Sequence, residues 1–267
     1  MDQRRIEHLA QAAVQAVAEA GAIARRYFRT ELHVDNKLND GTFDPVTRAD
    51  REIEQFLRAE LARLDPSIGI VGEEFGSTGP SDEYWIIDPI DGTRAFMSGM
   101  LGWGILLGLV THGRAVAGIM HQPFTGEMFV GTPQGARLFH QGTEATLRTS
   151  TRTDLARAIL YSTDPRLIAA GDLTAAFTEL AAKCRLQRWG GDCYSMALVA
   201  QGSIDLVVEG PIAPYDIVPL IALVEGAGGI VTDLDGKSPL GGGAVIVAAN
   251  AALHAAALGI MRAAVAG

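Results

Sequence analysis

A chain of 267 residues with 48% apolar and 20% charged side chains can bury a sizeable core, and its scattered glycine and proline exclude a disordered or fibrous protein. Twenty-two Lys and Arg against 31 Asp and Glu leave a formal charge of −9, which excludes the broad cationic face that nucleic acid or an anionic membrane surface requires. An anionic small molecule would need local cations in such a background, most simply divalent metal ions.

Ile6, Leu9, Ala13, Val17, Ala20, Ala24 and Phe28 recur at three- and four-residue spacing and predict a helix over Arg4 to Phe28. Thr47 and Asp50 have the spacing of a capping box and open a second helix through Ile53, Phe56, Leu57, Leu61 and Leu64, so two helices are expected before any sheet. Short apolar runs at Ile68 to Val71 and Tyr84 to Ile87 end directly in acids, as buried strands delivering carboxylates would. From Trp103 to Phe139, apolar runs are punctuated by His112-Gly113, Pro123, Thr125-Gly126 and Gly135, which predicts an antiparallel meander.

Beyond Ala158 the pattern alternates. Strands are predicted at Ala158 to Ser162, Ile204 to Val208, Ile230 to Thr232 and Ala244 to Ala248, with helices near Leu173 to Lys183, after Gly191, at Ile217 to Glu225 and from Asn250. The expected organisation is an α+β half with an antiparallel sheet over residues 1–150 and an α/β half over 151–267, closely packed without a flexible linker. No run reaches membrane-spanning length, and the first residues lack the apolar stretch of an export signal. Cys184 and Cys193 have neither a CxxC spacing nor a companion histidine cluster, which suits free thiols in a cytoplasmic setting.

The richest segment is Asp88-Pro89-Ile90-Asp91-Gly92-Thr93, following the apolar run Trp85 to Ile87. A strand ending in Asp88, a turn at Pro89 and a short helix opened by Gly92 and Thr93 would return Asp91 beside Asp88, in a place fit for a hard cation and a phosphate. Asp-Pro and Asp-Gly are also common turn dipeptides, so by itself this string points slightly more to a structural role than to a functional one. Gly72-Glu73-Glu74 adds two acids at another strand end, and buried like charges at this density repel by about several kcal/mol unless a cation or proton intervenes. Pro214-Tyr215-Asp216 heads an apolar helix, where Asp216 is either an N-cap or a further ligand.

Taken together, Gly72-Glu73-Glu74, Asp88 to Thr93, and Tyr215-Asp216 ahead of Glu225 to Gly229 resemble the inositol monophosphatase family, over about Asp44 to Asn250. The resemblance implies a layered αβαβα sandwich of the inositol monophosphatase and fructose bisphosphatase type, a small phosphorylated metabolite as substrate, and a homodimer. It also implies magnesium as cofactor: Glu73, Asp88 and the Ile90 carbonyl for one ion, and Asp88, Asp91 and Asp216 for a second. Asp50, in the string Asp44 to Asp50, is a candidate catalytic residue and contact for a third ion, or simply the partner of Thr47 in the capping box. Glu73 and Thr93 would position the attacking water, and Gly92 and Thr93 would hold the phosphate through their backbone. Lys37 stands where the family often has an upstream lysine, at a stretched spacing.

Three further strings are most like the bacterial histidinol-phosphate phosphatase branch: Thr93-Arg94-Ala95-Phe96, Trp189-Gly190-Gly191-Asp192-Cys193-Tyr194, and Glu209 ahead of Asp216. Substrate contacts are expected from Asp91, Gly92, Thr93, Arg94, Arg188, Gly190, Gly191, Asp192, Glu209 and Asp216, with Asp192 and Glu209 forming an acidic rim that favours a cationic substrate over a neutral polyol. Asp192 could instead be an N-cap, and Arg94 and Arg188 solvated surface charges. Three functions follow: hydrolysis of histidinol phosphate in histidine biosynthesis, hydrolysis of inositol 1-phosphate or another sugar or nucleotide phosphate, and silent binding of a phosphate ligand. The complete acid set argues against the last. Gly236-Lys237-Ser238 lacks the upstream glycine of a nucleotide-binding loop, and the six histidines match no metal or nucleophile motif.

Overall fold

The computed structural model describes residues 1–31, 34–36, 45–80 and 82–265; Lys37 and Asp44 lie outside them. The chain opens with α1 (Gln3–Tyr27), a ribbon of β1 (Val34–Asn36) and β2 (Pro45–Thr47), and α2 (Arg48–Leu64). It continues through β3 (Gly69–Gly72), β4 (Gly76–Thr78), β5 (Glu83–Asp91), α3 (Thr93–Met97), β6 (Gly104–Thr111), β7 (Arg114–Gln122), β8 (Glu127–Thr132), β9 (Gly135–His140) and β10 (Thr143–Thr146). The remainder holds β11 (Ile159–Ser162), α4 (Pro165–Ala170), α5 (Thr174–Lys183), β12 (Leu186–Trp189), α6 (Asp192–Ala200), β13 (Leu206–Ile212), α7 (Pro214–Gly226), β14 (Ile230–Asp233), β15 (Gly243–Ala248) and α8 (Ala251–Val265).

These elements stack as a five-layer αβαβα sandwich. Strands β3 to β10 form an eight-stranded sheet in the order β10-β9-β8-β7-β6-β5-β3-β4, and β11 to β15 a five-stranded sheet in the order β12-β11-β13-β15-β14. The apolar stripe of α1 (Ile6, Leu9, Ala13, Val17, Ala20 and Ala24) packs with α2 on the outer face of the larger sheet. Helices α6 and α7 fill the space between the sheets, and α5 packs with α8 beyond the smaller one. Each fully buried Leu or Ile of these faces contributes about 1.5–3 kcal/mol relative to exposure.

Local signals match the structure closely at the helix starts. The Thr47 hydroxyl accepts the Ala49 N–H at 3.1 Å and Asp50 accepts the Thr47 N–H at 2.8 Å, a complete capping box. Three expectations are corrected. A ribbon, β1 paired with β2, intervenes between the first two helices, because Pro45 and β-branched Val46 favour extended backbone. Strands β4, β10 and β12 and helix α4 carry too few periodic apolar residues to announce themselves. And Pro89 makes no turn: β5 runs through it to Asp91.

Asp88 pairs with Leu106 and Asp91 with Gly104, so β5 advances three positions while β6 advances two. Proline has no N–H for the ladder, and one extra residue is accommodated as a β-bulge. In a regular strand positions i and i+3 face opposite ways; the extra residue turns Asp88 and Asp91 to one side.

A glycine stripe sets the depth of α7. Gly108, Gly118 and Gly131 are aligned neighbours on β6, β7 and β8. A Cβ at Gly118 would lie 1.7 Å from the Pro219 carbonyl oxygen, and one at Gly131 2.3 Å from the Leu223 Cα, so the helix backbone rests directly on the sheet. Gly118→Ala is expected to cost about 1–3 kcal/mol by overpacking. Urea unfolding checks this, and an unchanged midpoint would contradict the close approach.

Candidate active site

The bulge of β5 and the start of α7 bring three acids together. One carboxylate oxygen from each of Asp88, Asp91 and Asp216 lies within 4.8 Å of the others. Asp88 is only 2% exposed and accepts the Ile90 N–H at 3.0 Å. Asp91 accepts the Cys193 N–H at the head of α6 at 2.7 Å. Asp216 accepts the Ala213 N–H at 2.8 Å from the third position of α7; Ala213, not Asp216, is the N-cap. Glu73 follows β3, and its N–H donates to the Ile87 carbonyl at 3.3 Å.

Burial first, then repulsion from Glu73, Asp91 and Asp216, holds the Asp88 carboxyl well above the usual carboxylate range. Asp91 is raised likewise by burial and by Asp216 and Asp192, against the stabilising hydrogen bonds from Cys193. Without a cation, these acids keep protons that isolated carboxylates would release.

They line a cavity of about 260 Å³, together with Ile90, Gly92, Thr93, Arg94, Asp192 and Glu209. Gly92, at φ 80°, caps the five-residue α3, and the Thr93 hydroxyl donates to the Ile90 carbonyl at 3.1 Å. Asp192 is the first residue of α6 and not its cap, which is Gly191; its φ of 43° is strained backbone of the kind found at functional sites. Burial pushes its carboxyl up to about 6, while Arg94 pulls the other way.

Four predicted residues do not line the cavity. Asp50 is buried in the capping box, where loss of solvent raises its carboxyl to about 7 against the Thr47 hydrogen bonds. Arg188 is exposed on the edge strand β12, and Gly190 and Gly191 link that strand to Asp192 at the start of α6. Glu209 does face the cavity but is no rim. It is 1% exposed and receives the N–H and hydroxyl of Thr163 at 2.9 and 3.0 Å and the Ser162 hydroxyl at 3.3 Å. Burial still lifts it to about 7.

Thr163, Leu167, Cys193, Pro211 and Tyr215 also line the cavity and were not among the expected contacts. Thr163 and Pro211 could have been found from position. They follow or end the parallel-paired strands β11 and β13, and the carboxyl ends of such strands are where α/β sheets bind ligands.

A layered αβαβα sandwich with a close-set carboxylate cluster lining one cavity is the arrangement of the phosphoric monoester hydrolases to which this chain is similar. A family model described as the inositol monophosphatase family matches residues 5–266, and the chain belongs to that family. It is 31% identical to a histidinol-phosphatase of Chlorobaculum parvum over 91% of this chain and 92% of that protein. It is 35% identical to the chloroplastic bifunctional phosphatase IMPL2 of Arabidopsis thaliana over 83% of this chain, which spans 63% of that relative's length. An inositol monophosphatase structure from Zymomonas mobilis superposes with a TM-score of 0.83 at 37% identity, covering 96% of this chain and 98% of that one. The family is magnesium-dependent, and among the described residues no helix is long and apolar enough to cross a membrane.

Proposed function

We propose that this chain hydrolyses histidinol phosphate to histidinol and phosphate with magnesium. One observation carries the substrate choice: the cavity joins the Asp88, Asp91 and Asp216 cluster to a second acidic pair, Asp192 and Glu209. A ligand with a phosphate at one end and an amine and imidazole at the other matches both ends, whereas a neutral polyol adds no positive charge to the second pair beyond that of Arg94.

Close-set carboxylate oxygens, one of them wholly buried, suit a hard, oxygen-seeking cation. Asp88, Asp91 and Asp216, with Glu73 and the Ile90 carbonyl, would hold magnesium. When bound, magnesium neutralises the cluster and polarises a phosphoryl oxygen. The Thr93 hydroxyl proton is engaged by Ile90, which leaves its oxygen lone pairs to orient a water; that water would attack phosphorus as Glu73 takes its proton, the bond from phosphorus to the histidinol oxygen would break, and the departing oxygen would take a proton from solvent. The backbone of Gly92 and Thr93 holds the phosphate, and Arg94 stands at the opening.

Phosphate release from histidinol phosphate, inositol 1-phosphate and fructose 1,6-bisphosphate, with magnesium, tests the substrate. Histidinol phosphate is expected to have the highest kcat/KM; a preference for inositol 1-phosphate overturns the choice. Asp192→Asn is expected to cut the advantage of histidinol phosphate over inositol 1-phosphate by about tenfold, roughly 1.4 kcal/mol, while sparing inositol phosphate turnover. An unchanged ratio would remove Asp192 from recognition.

A further inference from the structure

Glu54, like Asp205, is a fully buried acid outside the cavity. Its side chain on α2 has no solvent exposure, and both carboxylate oxygens are occupied by donors from elsewhere. Oε2 accepts the Glu74 N–H at 2.7 Å, and Oε1 accepts the Phe75 N–H at 3.2 Å and the Arg58 Nε–H at 2.7 Å. Arg58, one helical turn on, continues the grip: Nη1 donates to the Thr78 hydroxyl at 3.2 Å, and Nη2 to the Gly76 carbonyl.

Every backbone group gripped in this way lies in the turn that carries Glu73 or at its junction with β4, at Gly76. The fit leaves no slack, since a Cβ on Gly72 would lie 2.0 Å from Glu54 Oε1 and 2.9 Å from Arg58 Nη2. On its other side the turn is held by the Glu73 N–H bonded to the Ile87 carbonyl of β5. Glu73 therefore sits on backbone pinned from both directions, facing acids that repel it. Loose backbone would let that repulsion swing the carboxylate outward; a buried ion pair with charge-assisted hydrogen bonds resists it.

We propose that the Glu54–Arg58 pair is a positioning device that fixes the Glu73 turn and so sets the magnesium affinity of the site. The inference rests on the metal role proposed above for Glu73. Glutamine at position 54 keeps the shape but has a single acceptor oxygen, so one gripped N–H would face an amide NH₂. Outer partners of this kind typically govern about 10–100-fold in metal affinity or rate.

The test is calorimetric titration of magnesium into the whole protein and into Glu54→Gln, Arg58→Gln and Glu73→Gln. Circular dichroism verifies folding, and KM for the phosphate ester is measured at saturating magnesium. Glu54→Gln and Arg58→Gln are expected to bind magnesium about 10–100-fold more weakly, with KM within about twofold of the parent. General loosening of the fold would not confine its effect to the metal. Parent-like magnesium affinity in a folded Glu54→Gln overturns the inference. If that variant does not fold, the more peripheral Arg58→Gln decides by the same criterion. Weakened binding in Glu73→Gln alone sinks the brace and leaves the site intact, whereas unchanged binding in Glu73→Gln removes the metal role on which both depend.

Discussion

Asp91→Asn is expected to lower phosphate release by at least about 10³-fold while raising the melting temperature of the metal-free protein. The first effect follows from charge: Asp91 lies within 4.8 Å of Asp88 and Asp216, and losing one anionic ligand forfeits about 4 kcal/mol of charge stabilisation at the reacting centre. The second follows from the same proximity read without a cation. Asp91 is half-buried against like charge, and an isosteric amide relieves the repulsion while its side-chain oxygen still accepts the Cys193 N–H. Opposite signs in activity and stability distinguish a ligand from a structural residue. A variant with near-parent turnover, or one that melts earlier than the parent in chelator, contradicts the assignment.

Chelation is expected to abolish turnover and to give the protein a stability that falls as pH rises from 5 to 8. Burial, aided by neighbouring acids, raises Asp88 and Asp91 well above their unfolded value, Asp50 and Glu209 to about 7, and Asp192 to about 6. Unfolded carboxylates titrate near about 4, so between these limits the native state binds more protons than the unfolded one. Stability is then fully present below the unfolded pKa and is lost as pH climbs through the folded values. The loss should reach at least about 3 kcal/mol, or about 6–12 °C in melting temperature for a chain of this size. Excess magnesium should flatten the slope, because the cation takes the place of protons, and it should raise the melting point more at pH 8 than at pH 5. A melting temperature in chelator that holds level or rises over that window would rule out a repelling acid cluster, and undiminished turnover in chelator would rule out the metal.

The candidate site was legible as a set of residues and illegible as a shape. Glu73, Asp88, Asp91 and Asp216 stood out because acids at the ends of apolar runs are expensive without a counter-charge, and all four line one cavity. The means of convergence is not legible in the sequence: Pro89 predicts a turn, and the structure has a bulge whose register depends on β6. Glu209 was expected at a rim because an acid after an apolar run gives no sign of depth. Its burial is decided by Ser162 and Thr163, more than forty residues away in the chain.

Local physics alone determined much of this protein. The three-and-four stripe of α1, the Thr47–Asp50 capping box and the glycine-punctuated meander depend on neighbours within a few positions, and such preferences hold wherever the segment finally sits. Tertiary structure decided what needs distant partners. Asp91 meets the Cys193 amide across 102 positions, α7 descends onto three glycines that only strand register aligns, and Glu54 reaches the Glu73 turn from another layer. Those contacts depend on packing and register set by the whole chain, which no window of sequence contains.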